Sequence, residues 1–366
     1  MKGLILSITA GQGHNQTAKV LSDCFNSEGI ECSYIDSLKY INPILSESVS
    51  KIYLMSTKSI PKIYGKIYRR FENRPVDDMH GLPKLTNNIL ARALLKKLHS
   101  ESPDFIICTH VFAALLVTAL KGYISDEICT VGIVTDFTIH PYWEDTHLDY
   151  YVTPNEGLNI QAVKKGISED KILPFGIPID PKFAKRLPRE EACRKLGIEN
   201  KRTVLVMSGS MGFGNVIDEI KALDKVEEDF QIITICGNNK KLKKHIDDTK
   251  FSKKIYNYGF VNNVDVFMDA VDCIITKPGG LTTSEALAKG VPMIMSNPIP
   301  GQEDRNVEFL LNAGAAIKVS PTYPIDDALI QLFSDNRLRL IQETIKQLGK
   351  PNSTQTLIDF VKENCK

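Results

Sequence analysis

The chain has 366 residues, 43% of them hydrophobic and 24% charged, with 45 basic residues against 44 acidic ones. This composition excludes a disordered or low-complexity chain, and the balanced charge argues against a general nucleic-acid binder, which carries a basic surplus. At roughly 150 residues per domain, two domains are expected, each large enough to bury its own core.

Along the chain, β-rich runs alternate with helix-period segments. Strands are predicted at 3–9, 31–35, 104–109, 128–134, 149–153 and 171–176, and again at 203–208, 230–236, 254–258, 272–276, 291–296 and 315–319. Amphipathic helices fall between them. Over 85–99, for example, Leu85, Ile89, Ala93, Leu94 and Leu98 share a face. Strands alternating with helices imply an α/β protein of two Rossmann-like, doubly wound parallel sheets facing across a cleft, with ligands at the carboxyl ends of the strands. Residues 174–181 hold three prolines and are expected to link the two halves.

The apolar run at 3–8 is too short for a signal peptide, and no apolar stretch reaches the length of a membrane span. The eight cysteines form no C-x-x-C pair; Cys108 and Cys236 sit in apolar runs, as in a reduced, cytosolic protein.

The first strand runs into Gly11-Gln12-Gly13-His14-Asn15-Gln16. Glycines permit a tight turn, and a helix N-terminus favours an anion. Gln16 breaks the dinucleotide fingerprint, and no G-K-[ST] follows to make a P-loop. His14 is placed either to act as a general base or to cap and pack the helix. In the second half, Ser208-Gly209-Ser210-Met211-Gly212 reads as a phosphate-facing turn or a plain βα loop.

Residues 276–292 are more specific. A strand ends, Pro278-Gly279-Gly280 turns, and a helix begins with Thr282, Thr283 and Ser284. Backbone N–H groups and hydroxyls there suit a diphosphate without metal. Glu285 either accepts from ribose hydroxyls or complements the helix dipole. The loop Pro300-Gly301-Gln302-Glu303-Asp304-Arg305-Asn306 suits sugar hydroxyls, or is the solvated start of a helix.

Taken in order, G-Q-G-H at 11–14, S-G-S-M-G at 208–212, G-F-V at 259–261, K-P-G-G-L-T-T-S-E at 277–285 and P-G-Q-E-D-R-N at 300–306 resemble the MurG and monogalactosyldiacylglycerol-synthase group of glycosyltransferases (family 28). The resemblance implies the GT-B fold. It also implies a UDP-sugar donor in the C-terminal half, with Gly13 and Ser210 among the donor-binding residues. Phe260 and Val261 would flank the uracil, and Gly280, Leu281 and Thr282 would hold phosphate. Glu285 would bind ribose, and Gln302 and Glu303 the sugar. The expected division is 1–175 for the acceptor, 176–350 for the donor, and a helix over 351–366 that packs back on the N-terminal domain. No two aspartates stand one residue apart, so no D-x-D metal signature exists, and neither cofactor nor metal is expected.

Val134-Thr135-Asp136-Phe137, followed by His140-Pro141-Tyr142-Trp143, looks like the diacylglycerol branch of this group. Asp136 is expected to orient His14 or to replace it as base, and His140 and Trp143 to face the acceptor; the plainer reading has Asp136 capping a turn and Trp143 packing. Residues 38–74 carry a net charge of +6, against −5 for the remainder. Ile63, Tyr64, Ile67, Tyr68 and Phe71 recur there at helical spacing beside Lys62, Lys66 and Arg70, as in a helix lying on an anionic membrane. The expectation is an inverting transferase that moves glucose or galactose from a UDP-sugar to diacylglycerol, giving a β-glycolipid on the cytosolic membrane face. The alternatives are an N-acetylglucosamine transferase acting on a polyprenyl-linked lipid, and a nucleotide-sugar-binding subunit without catalysis.

Overall fold

Runs such as Leu4-Ile5-Leu6 and Phe105-Ile106-Ile107 are apolar without alternation, the pattern of strands covered on both faces. The computed structural model describes residues 1–9, 13–44, 46–48, 65–66, 82–207 and 216–365, with only the backbone of 82–89 and Asp335. Among these, twelve strands form two six-stranded sheets, and every pairing is parallel. Parallel neighbours need long crossovers, which the intervening helices supply.

One compact unit comprises Met1–Asp180 with Pro300–Gln302 and Asn352–Lys366. Its strands are β1 (Lys2–Ser7), β2 (Glu31–Asp36), β3 (Phe105–Cys108), β4 (Cys129–Ile133), β5 (Tyr150–Val152) and β6 (Ile172–Leu173), in the order β2-β1-β3-β4-β5-β6. The order reverses between β1 and β3, which opens a crevice at their carboxyl ends. The last helix, Ser353–Asn364, contributes Leu357, Ile358 and Val361 to this unit's core. Its first turn is tied down where Ser353 donates to the Ile177 carbonyl (2.9 Å) and Thr354 to that of Ile179 (2.6 Å).

The other unit comprises Pro181–Ile299 and Glu303–Pro351. Its strands are β7 (Thr203–Met207), β8 (Gln231–Ile235), β9 (Ile255–Tyr258), β10 (Cys273–Thr276), β11 (Met293–Met295) and β12 (Ala316–Lys318). The order β12-β11-β10-β7-β8-β9 is the Rossmann arrangement, reversing between β7 and β10. The helix Gly280–Lys289 stops where Gly290 turns left-handed at φ 65°, a conformation glycine adopts without a Cβ clash. That end is pinned by a fully buried pair, Lys289 Nζ to Asp269 Oδ2 at 2.6 Å.

The twelve predicted strands are the twelve observed. Two expectations change. On the helix Leu82–Glu101, Leu94 and Leu98 are buried as expected, but Ala93 faces solvent and Ala91 takes the core position. The cysteines are not all free: Cys129, at the start of β4, is bonded to Cys365, beyond the last helix. They are 236 residues apart, and the packing of that helix onto the sheet brings their Cα atoms to 5.2 Å. The amphipathic segment proposed for the membrane lies mostly outside the described residues. Of it, Lys66 is described and exposed, whereas Lys62, Tyr64, Tyr68 and Arg70 are not described, and neither is Ser210.

Candidate active site

In the first unit, residues following β1, β3 and β4 meet at the crevice. Gly13 and His14 open the helix Gly13–Ser27. Asn15 fixes the approach: its amide donates to Thr9 Oγ1 (2.8 Å), and its carbonyl accepts from Ser7 Oγ (2.6 Å). Thr9 N–H in turn donates to Asp36 (2.9 Å), the residue that caps the next helix.

His14 Nδ1 lies 2.9 Å from the carbonyl oxygen of Thr109 and 3.0 Å from the hydroxyl of Thr135. A carbonyl only accepts, so Nδ1 carries the proton and Nε2 presents its lone pair. Among the described residues, no hydrogen-bond partner is seen for Nε2. Burial pushes the His14 pKa below its ordinary value, while the charge of Asp136 and the Thr109 carbonyl pull it back up. Burial therefore favours the neutral imidazole.

The structure adds a residue that the sequence reading missed. His110 follows β3 and packs edge-on to His14, with ring centroids 4.5 Å apart. It caps the helix Val111–Leu120, its Nδ1 accepting from Phe112 N–H at 3.1 Å. Burial first, then repulsion from His14 and His140, holds its pKa well below the histidine range. The signal available in the sequence was its place: like His14, it stands where an apolar strand gives way to a helix.

The remaining acceptor-side residues divide. Asp136 is half-buried and acts on His14 through its charge. Gln302, which groups with this unit, donates its side-chain amide to the Asp136 carboxylate. His140 is half-buried and caps the turn Pro141–Asp145, its Nδ1 accepting from Tyr142 N–H at 3.2 Å. Trp143 does not face an acceptor. It is 3% exposed, and its ring fills the space over Gly132, where a Cβ would come within 2.8 Å of it. The Val134–Trp143 segment is thus anchored by its tryptophan, and its polar residues are left at the rim.

In the second unit, the helix Gly280–Lys289 starts after β10 with Gly279 at its cap and no side chain on its first N–H groups. Gly280, Leu281 and Thr282 form its first turn, and Glu285 is half-buried one turn on. The turn is held from behind by the helix Gln302–Asn312. The fully buried Asn306 amide donates to the Pro278 carbonyl (2.8 Å), and Lys277 Nζ meets Glu303 Oε1 (2.7 Å). Glu303 Oε2 also accepts from Ile299 N–H (2.8 Å), so both carboxylate oxygens shape the loop. Phe260, after β9, is 68% exposed with Val261 beside it, an aromatic face open to a base. A small cavity at the β7–β10 reversal is lined by Met207, Glu219, Thr276, Lys277 and Asn297. Burial raises the Glu219 pKa there although Asn297 donates to it at 2.7 Å. Neither Glu219 nor Asn297 stood out in the sequence. Among the described residues, no group of three or more His, Cys, Asp or Glu is placed to hold a metal ion.

The architecture matches MurG from Acinetobacter baumannii with a TM-score of 0.68 at 14% identity, over 99% of each chain. Two parallel doubly wound units of this kind make up the GT-B fold. Residues 14–179 match the monogalactosyldiacylglycerol (MGDG) synthase family model, and residues 188–347 that of glycosyl transferases group 1. The chain is 31% identical to the processive diacylglycerol beta-glucosyltransferase of Bacillus pumilus, over 99% of this chain and 94% of that protein. It is 30% identical to the enzyme of the same name from Bacillus subtilis, over 99% and 95%. The chain belongs to the diacylglycerol glycosyltransferase family.

Proposed function

We infer that this enzyme transfers a hexose from a UDP-sugar to the free hydroxyl of diacylglycerol, forming a β-glycolipid with inversion at the anomeric carbon. The observation that carries the inference is the full-length similarity to diacylglycerol glucosyltransferases, and those relatives make glucose the preferred hexose.

The proposed mechanism gives each unit one role. His14 Nε2 takes the proton of the lipid hydroxyl as its oxygen attacks the anomeric carbon. The bond from that carbon to the UDP oxygen breaks on the opposite side, and the electron pair leaves with the diphosphate. Free N–H groups at the start of the helix Gly280–Lys289, with the Thr282 hydroxyl, stabilise that charge. Phe260 and Val261 cover the uracil, and Glu285 accepts from the ribose. No metal has a part in this scheme, so UDP should bind equally in EDTA and in magnesium; complete dependence on magnesium would overturn the assignment.

Diacylglycerol resides in bilayers, and no helix among the described residues is long and apolar enough to cross one. The proposal is therefore peripheral docking on the anionic cytosolic face through residues 38–74, whose net charge is +6. Reversing charge at Lys62, Lys66 and Arg70 should lower flotation with anionic vesicles and spare activity on detergent-dispersed acceptor; unchanged flotation would remove the segment from docking.

The decisive experiment offers UDP-glucose, UDP-galactose and UDP-N-acetylglucosamine with diacylglycerol vesicles or a polyprenyl-linked acceptor, and identifies products by mass. Glucosyl-diacylglycerol is expected. Transfer to the polyprenyl acceptor alone, or UDP binding without any product, would replace this function with another.

A further inference from the structure

His110 has chemistry that capping does not use. Capping needs one acceptor, which Ser, Asp or Asn supplies from a shorter side chain. His110 uses Nδ1 for that purpose, accepting from Phe112 N–H at 3.1 Å, so in the neutral ring the proton sits on Nε2. Among the described residues, none accepts from that Nε2–H. Beside it, at 4.5 Å between centroids, His14 has the opposite tautomer: proton on Nδ1, bare lone pair on Nε2. Two neighbouring imidazoles therefore present one acceptor and one donor, each with its other nitrogen fixed by the backbone.

The surroundings match a neutral lipid headgroup. Phe112 stacks on His110 (5.3 Å between centroids) and is 41% exposed, and Tyr142 packs against Phe112 at 5.4 Å. An apolar shelf thus adjoins the imidazole pair. Burial among other histidines disfavours a charge on His110, and an uncharged donor suits an uncharged ester or ether oxygen.

We propose that His110 is a second acceptor-binding residue, its Nε2–H donating a hydrogen bond to the lipid oxygen next to the attacking hydroxyl. The proposal rests on the reading of His14 as the base that faces diacylglycerol. With the neighbouring oxygen held by His110, the hydroxyl is aimed at His14 Nε2 and loses rotational freedom before reaction.

Two substitutions separate this role from capping. His110→Asn keeps an oxygen that caps the helix but has no donor reaching the Nε2 position. His110→Gln places an amide N–H near that position and weakens the cap. Steady-state kinetics with diacylglycerol in detergent micelles, UDP affinity and thermal melts are measured on both, with wild type and His14→Ala alongside. His110→Asn is expected to melt like wild type and bind UDP normally, with kcat/KM for diacylglycerol down by about 10-fold, the scale of one lost neutral hydrogen bond. His110→Gln is expected to melt lower yet recover most of that kcat/KM. Full activity in His110→Asn, or no recovery in His110→Gln, would overturn the proposal and leave His110 a cap. If wild type makes no glycolipid, or His14→Ala turns over normally, the reading of His14 itself fails and the His110 proposal falls with it.

Discussion

The crevices of the two units share a topology and differ in how they carry charge. In the first, the reversal between β1 and β3 brings His110 and Asp136 to His14, which lies more than 90 residues before either in the chain. In the second, the reversal between β7 and β10 presents backbone N–H groups, and its charged side chains Lys277 and Glu303 are spent on each other. Moving a proton requires a group whose pKa its surroundings tune, whereas holding a diphosphate requires a fixed array of donors. The first crevice should therefore be sensitive to single side-chain changes and to pH. The second should respond mainly in affinity.

The sharpest break is expected at His14. His14→Ala should lower turnover by a factor on the order of 10²–10⁴ and leave UDP affinity near wild type, read by product formation and UDP titration. Retained turnover would erase the distinction between the units. A smaller effect, confined to binding, is expected in the other crevice. Glu285→Ala should weaken UDP by roughly 1–3 kcal/mol, the cost of a charged hydrogen bond, measured by calorimetry.

The smallest effect is a shift of pH dependence at Asp136. Its negative charge raises the His14 pKa, so Asp136→Asn should lower that pKa further. Activity requires neutral His14 and is lost as pH falls through its pKa. The acid limb of kcat/KM should therefore move to lower pH in the variant. Abolished activity across the pH range would instead make Asp136 the base.

The turn and helix start after β10 were largely legible because their parts are contiguous. The strand, the Pro278-Gly279-Gly280 turn and the hydroxyl-bearing first helical turn occupy one stretch of chain, and local rules for turns and helix ends suffice to read it. Glu303 was legible as a residue but not in its partners: its carboxylate looked free for a sugar, and the fold engages it with Lys277 and Ile299 N–H. The crevice of the first unit was read only in part. His14 and Asp136 announce themselves beside strand ends, but the partners that hold His14 are Thr109, after β3, and Thr135, next to Asp136 after β4. Trp143 pointed the wrong way because an aromatic next to polar residues reads equally as a rim or as an anchor. Gly132, which leaves room for the ring, decides for the anchor.

By itself, the sequence determined two parallel α/β sheets, because buried strands alternating with amphipathic helices admit few other packings. It also determined the uncapped helix start after β10, which is local backbone chemistry. Only the tertiary structure decided which nitrogen of His14 is left bare, that His110 stands beside it with the opposite tautomer, and that Cys129 pairs with Cys365. Each depends on atoms brought together across sheet neighbours or from the far end of the chain, and such contacts are set by strand order and packing, which no local pattern of residues encodes.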